Sequence, residues 1–238
     1  MTKYLTQWTM DDVESVGLLK IDFLGIRYLT MVSSIVEQIK KENPEFDITK
    51  INYKDPKVYN LFAEGRTEGI FQFESSGMKE KLRLLKPTEF NDIVAMNALY
   101  RPGPMAQIET YIRRKHGEEK VNYPHPNLEK ILKDTYGVIV YQEQIMLIAV
   151  NFAHMSLNEA DNMRRAVSKK KKEDLEYYGR IFIEKSVAAG YDRNVAKSLF
   201  DLIVTFANYG FNKSHAVVYS MLAYRLAYLK VYYTKYFM

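Results

Sequence analysis

The sequence predicts a mainly α-helical fold with one short β segment near the N-terminus, on three observations. Apolar residues recur at three- and four-residue spacing along most of the 238 residues. Strict alternation stands out at one place, where Leu19, Ile21 and Phe23 interleave with Lys20, Asp22 and Leu24. The helical runs are also punctuated by residues that start and stop helices, among them Asn43-Pro44, Asp55-Pro56 and Pro87.

Bulk composition frames the rest. With 47% hydrophobic residues the chain can bury a core, as one large or two small domains. The formal net charge of +5 favours anionic partners without specifying one. Zero cysteines exclude disulfides and thiolate metal sites and fit a reducing, cytoplasmic setting. The first residues lack the apolar run of a signal peptide. The most apolar segment, 216–238, is interrupted by Arg225, Lys230 and Lys235, so no membrane partner is expected.

Taken in order, 19–23 reads as a strand with one buried face and with Lys20 and Asp22 on the other. A lone strand is not stable, so these residues are expected to edge a domain whose body lies outside the chain. From Gly25 the pattern turns helical: Ile26, Leu29, Val32, Ile35, Val36 and Ile39 share a face until Asn43-Pro44. Asp55 is an N-cap with Pro56 at the first helical position, and that helix ends at Gly65. Gly69 to Phe73 and Val138 to Tyr141 are short strand signals. Met78, Leu82 and Leu85 mark a helix stopped by Pro87, and Thr88 is expected to cap 89–99. Arg101-Pro-Gly-Pro104 breaks the chain before helices over 105–115 and 128–133.

Ser156 and Glu159 form a capping box opening a helix with Ala160, Met163 and Val167 inward. Arg164 and Arg165 lie near its end, followed by Lys169, Lys170, Lys171 and Lys172. A second helix carries Leu175, Phe182, Ile183 and Val187 and ends at Gly190. A charge run is commonly a solvated face. Six cations within nine residues nevertheless repel one another unless anions neutralise them, and arginine offers a fork that fits phosphate oxygens. Solvated face and phosphate or nucleic-acid contact both stay open on composition.

The stretch 208–219, Asn-Tyr-Gly-Phe-Asn-Lys-Ser-His-Ala-Val-Val-Tyr, separates two apolar-periodic segments. Gly210 can end the first helix with a positive φ and Ser214 can cap the next. Lys213 and His215 would then flank a helix N-terminus, a setting that suits a phosphate. The plainer reading is a helix corner whose polar residues only cap.

Absent motifs narrow the chemistry. There is no P-loop, no His-Glu-x-x-His and no Gly-x-Ser-x-Gly turn, and the four histidines lie far apart. His154 reads as a packed helical histidine. Tyr224, Tyr228, Tyr232 and Tyr236 make an i, i+4 stripe, more in keeping with helix packing than with base stacking. Asp22 is the one acid on an outward strand end, or else a turn residue beside Gly25.

Several stretches together resemble one family. Gly17 to Gly25, Gly69 to Gly77, Ala98 to Pro104, Tyr136 to Met146, Met163 to Lys170 and Phe206 to Tyr219 follow the order of the bacterial DNA polymerase III alpha subunits. These are C-family replicative polymerases, and the match is nearer their DnaE type than their PolC type.

The resemblance implies a helical fingers domain over 26–238, with 1–25 as the end of a nucleotidyltransferase-like palm. Asp22 matches the third catalytic, metal-binding aspartate, and Lys20 a lysine beside the triphosphate. Arg164 and Arg165 match arginines that hold the incoming nucleotide, and Tyr209, Asn212, Lys213 and His215 the turn that closes over it. Ser168 stands where many relatives carry glycine. The implied cofactor is Mg²⁺, two ions in a complete site, with primer–template DNA, an incoming dNTP, the sliding clamp and other replisome subunits as partners. One carboxylate cannot hold two metals, so the chain alone is expected to be inactive. The alternatives are a non-enzymatic helical module binding nucleic acid through 164–172 and a helical scaffold for protein partners.

Overall fold

Short polar residues set several of the helix starts here by accepting otherwise orphaned backbone N–H groups. In the computed structural model, which describes residues 4–21, 25–169, 171–207 and 209–238, helix α1 spans Met10–Ser15 and is capped by Thr9. Helix α2, Arg27–Glu42, buries Val32, Ile35 and Ile39 and stops at Asn43. Asp55 caps α3, Pro56–Ala63, with proline at its first position, and Ser75 caps α4, Ser76–Leu85. Helices α5, Phe90–Leu99, and α6, Ile108–Lys115, follow on either side of the Arg101-Pro-Gly-Pro104 break. These helices surround Phe62, Phe73, Leu82, Leu85, Ile93 and Met96, all fully buried.

A second core lies between α7, Glu129–Leu132; α8, Gln142–Ala153; α9, Leu157–Ser168; α10, Lys172–Ala188; and α11, Arg193–Ala207. Its centre holds Phe152, Met163, Phe182 and Ile203. The expected Ser156–Glu159 capping box is present, with Glu159 accepting from the Ser156 amide at 2.7 Å. The chain then returns to the first core as α12, Lys213–Tyr232, which packs on α5, α3 and α2, and ends in α13, Thr234–Phe237. The second lobe is therefore an insertion between α6 and α12.

The two lobes meet along Val138–Tyr141. Val138, Val140 and Tyr141 belong to the first core and Ile139 to the second, so this apolar run serves two cores at once. Phe211 is bridged to it in parallel: its N–H donates to the Val140 carbonyl at 3.0 Å, and its carbonyl accepts from Gln142 N–H at 3.0 Å. That strand signal thus yields a single bridge, and 69–73 forms turns.

Several expectations are corrected. Among the described residues there is no strand, and the N-terminal β segment is not formed. Leu19 and Ile21 are 83% and 62% exposed, so no sheet covers the face that would stabilise a strand. Asp22, Phe23 and Leu24 lie outside the described residues. Gly210 does not adopt a positive φ. A Cβ there would stand 3.1 Å from the Gln142 backbone, so its use is close approach of two chain segments. Asn212, not Ser214, caps α12, and Glu89, not Thr88, caps α5, because Asp92 reaches back to the Thr88 and Glu89 amides. His154 is exposed and left-handed (φ +49°) at the end of α8 rather than packed within it.

The tyrosine stripe is a packing feature. Tyr224 is fully buried, donates to the Asn52 carbonyl at 2.9 Å and accepts from the Asp55 N–H at 3.1 Å. Burial pushes its pKa up to about 12, so it stays a neutral hydrogen-bonding phenol.

Candidate nucleotide-binding corner

The corner between α11 and α12 gathers most of the residues singled out there by sequence. Asn212 Oδ1 accepts the His215 N–H at 2.8 Å and so sets the start of α12. That geometry leaves the side chains of Lys213 and His215 exposed on the first turn. The His215 ring stacks on Tyr219, centroids 3.9 Å apart, and meets the Phe211 ring edge-on at 5.3 Å. The Lys213 ammonium lies 5.3 Å from the centre of the Tyr141 ring.

The backbone donors at this helix start are not free. Both Glu143 carboxylate oxygens, from the first turn of α8, accept the Lys213 N–H, at 3.0 and 3.1 Å. With His215 N–H held by Asn212, two amides that would meet a phosphate already have acceptors. An anion at this corner would be met by the Lys213 and His215 side chains.

Arg101 and Gly103, read from sequence only as a chain break, support the corner from the first lobe. The Arg101 guanidinium lies 4.5 Å over the Phe211 ring, and donates through Nε to the Ala98 carbonyl at 2.9 Å and through Nη2 to the Tyr209 carbonyl. Partial burial lowers its pKa. Gly103 has φ +100°, and a Cβ on it would sit 2.3 Å from Tyr209 Cε1. The Tyr209 ring thus fills the space a side chain would occupy. No sequence pattern linked these residues across more than a hundred positions; the Arg-Pro-Gly-Pro run was the one available sign of an unusual backbone.

Arg164 and Arg165 sit on α9 in the second lobe and share one carboxylate. Arg164 donates to Asp161 Oδ1 through Nε at 3.0 Å and Nη2 at 2.8 Å, and Arg165 Nη2 lies 2.8 Å from Oδ2. The Arg164 bonds chiefly hold the Asp161 pKa below the usual carboxylate range, with Arg165 adding to the effect. Arg165 remains two-thirds exposed, whereas Arg164 is mostly covered. Lys169, Lys171 and Lys172 are exposed, and Lys172 lies 3.8 Å from Glu176. Lys170 and Asp22 lie outside the described residues, and Lys20 belongs to the exposed N-terminal segment. The corner residues thus come together, while the arginine pair is anchored on its own helix.

Among the described residues no group of three or more His, Asp or Glu side chains could hold a metal ion. The donor set for a two-metal centre is therefore not found among them. Nor is any described helix long and apolar enough to cross a membrane.

The described residues thus form a helical domain with two cores and an exposed lysine and histidine at the corner beside them. Residues 28–190 match the family described as bacterial DNA polymerase III alpha subunit finger domain, and the chain belongs to that family. It is 56% identical over 236 residues to the DNA polymerase III subunit alpha of Bacillus subtilis (strain 168), covering 99% of this chain and 21% of that protein. To the DNA polymerase III subunit alpha of Staphylococcus aureus (strain COL) it is 54% identical over 237 residues, covering 99% of this chain and 22% of that protein. The chain thus spans about a fifth of the length of the curated relatives it matches.

Proposed function

We propose that this chain acts within a template-directed DNA polymerase, as the fingers that bind the incoming deoxynucleotide while it is added to a primer 3′ end. The observation that carries the reading is the α11–α12 corner, where Lys213 and His215 project exposed side chains from a helix start braced by both lobes. Residues 1–25 would be the end of the palm and 26–238 the fingers. Asp22 would be one of three carboxylates on the catalytic Mg²⁺ ions, with Lys20 beside the triphosphate. Since this chain's described residues do not build a metal site, the remaining ligands would come from elsewhere in the polymerase. Alone, the chain is expected to be inactive; the whole polymerase would work in the cytoplasm with the sliding clamp and other replisome subunits.

The chemical logic is charge compensation. Phosphoryl transfer leaves its catalyst mainly positioning and electrostatic work. Arg165, Lys213, His215 and Tyr209 would hold the triphosphate and base, and Arg164 would fix Asp161 and orient its neighbour. The test is Arg164→Ala with Arg165→Ala in a full polymerase containing these residues. The dNTP KM is expected to rise or kcat to fall by at least about tenfold, the scale of one lost charge-assisted contact. An unchanged rate removes the pair from the site.

A second reading, a non-enzymatic nucleic-acid-binding module, is favoured by the exposure of Lys169 and Lys171 between α9 and α10 and of Lys172 at the start of α10. It expects the chain itself to bind DNA with affinity falling steeply as salt rises. Weak, salt-insensitive binding counts against it.

A further inference from the structure

Three stretches far apart in sequence, 69–78, 97–104 and 209–219, meet around one cavity. Its volume is about 280 Å³, and it is lined by Gln72, Met78, Asn97, Tyr100, Arg101 and Phe211. That is a little below the ~300–1,000 Å³ of sites for drug-sized ligands, which suits a single planar ring system. The first two stretches take no part in the nucleotide corner proposed above except through Arg101 and Gly103.

We propose that this cavity receives an unpaired nucleobase of a DNA strand. Its lining has the chemistry that reads single-stranded bases: amides for the base edge, and aromatic and guanidinium planes for its faces. Two further observations point to a missing polar ligand. Asn97 Nδ2 is buried and has no hydrogen-bond partner among the described residues, an uncompensated cost that a ring acceptor would remove. Gln72 is exposed yet holds φ at +63°, a left-handed conformation disfavoured for a non-glycine residue. Such backbone outliers cluster at ligand clamps and active sites, and this one presents its amide to the cavity's rim.

The charge of the lining distinguishes a base from a whole nucleotide. Arg101 is the one cation lining the cavity among the described residues, and its guanidinium already serves two carbonyls and the Phe211 ring. One such group does not balance a triphosphate. Phe211 also ties the cavity to the corner, because its ring meets His215 on one side and Arg101 on another. A base seated here would lie next to the proposed nucleotide site and not within it.

The choice of DNA as the source of the base rests on the polymerase reading; the chemistry of the cavity does not. The test is binding of two short single-stranded oligonucleotides to this chain by fluorescence anisotropy, one carrying bases and one abasic with the same phosphates. Gln72→Gly is the informative variant, because it removes the amide while relaxing the backbone. It is expected to weaken binding of the base-bearing strand about five- to tenfold, the scale of one base-edge contact. Affinity for the abasic strand should stay unchanged, and Tm should hold or rise. Asn97→Leu, similar in size, should show the same selective loss. Equal loss on both strands, no loss, a wild type that does not prefer the base-bearing strand, or displacement of that strand by dNTP alone each overturns the proposal. If the selective loss is found while Arg164→Ala with Arg165→Ala leaves primer extension intact, the arginine pair leaves the proposed nucleotide site and the cavity stands. The opposite pair of results removes the cavity alone.

Discussion

The Glu143 carboxylate sits on the Lys213 amide, 3.0 and 3.1 Å from its two oxygens to the nitrogen. A negative side chain from the start of α8 thus occupies the positive end of α12, the place where a phosphate would otherwise be expected. The contact joins the second lobe to the helix that returns to the first, beside the Phe211 bridge. It also sets the local charge: Glu143 and Lys213 belong to one arrangement, so a ligand anion there competes with an internal one.

Replacing Glu143 separates these two effects. Glu143→Ala frees the Lys213 N–H and removes the negative charge. Pyrophosphate should then bind the corner about two- to fivefold more tightly, matching the ~0.3–1 kcal/mol of one charge at a helix end. Loss of the bond between the lobes should lower stability by about 1 kcal/mol. Isothermal titration and urea unfolding read the two. Weaker pyrophosphate binding by the variant would mean that Glu143 positions the corner more than it blocks it.

Gly103 should tolerate no side chain. Its φ of +100° lies where L-residues are strained, and a Cβ would stand 2.3 Å from Tyr209 Cε1. Gly103→Ala is expected to cost about 1–3 kcal/mol and to displace the Tyr209 ring. Adding Tyr209→Ala removes the clash and leaves the φ strain, so the double variant should recover part of the lost stability. Full additivity of the two substitutions in urea unfolding would show that the ring and the glycine are not coupled.

The elements most legible in the sequence were those fixed by local chemistry. Asp55-Pro56, the Ser156–Glu159 box and the stops at Gly65 and Gly190 each act within one turn of chain, and each appears as read. The corner was legible as a corner, but its bracing was not. Arg101 and Gly103 meet Tyr209 across more than a hundred residues, and nothing in residue spacing encodes such a contact. Asn212 and Ser214 are both good caps; the choice between them depends on where Phe211 is held by Val140, a tertiary fact. The alternation at 19–21 was a true pattern without a sheet among the described residues to receive it. Likewise Arg164 and Arg165 looked available for phosphate until Asp161, three and four residues before them, proved to hold both.

Asp92 is the buried charge of the first core and should be the most sensitive one among the described residues. It is fully buried, lies 2.9 Å from the Lys115 ammonium, and accepts from the Thr88 and Glu89 amides at 2.9 and 3.2 Å. Asp92→Ala leaves a nearly buried ammonium and two amides without their acceptor. Breaking one side of such a pair typically costs about 3–5 kcal/mol. Asp92→Ala combined with Lys115→Met removes the stranded charge and should recover part of that loss. Equal stability of wild type and Asp92→Ala in urea would show that the pair contributes nothing net.

Acid should act on the capping box of α9. The Glu159 pKa is lowered to about 2, first by the Lys185 ammonium at 2.7 Å and then by the Ser156 backbone and hydroxyl. A carboxylate with a depressed folded-state pKa contributes stability above its unfolded value, near 4.5. That contribution is lost as pH falls through the folded value. Asp161 shifts in the same direction on the same helix, because Arg164 and Arg165 hold its charged form. The urea midpoint of the chain should therefore fall between about pH 4.5 and pH 2. Glu159→Gln removes the titrating group while keeping an acceptor for the Ser156 amide. It should be less stable than wild type at neutral pH, where the Lys185 attraction is gone, and should converge on wild type near pH 2. A variant whose midpoint declines with acid as steeply as the wild type's would place the acid sensitivity elsewhere. Glu68 is the next group to examine, since its pKa is also lowered to about 2, chiefly by Lys79.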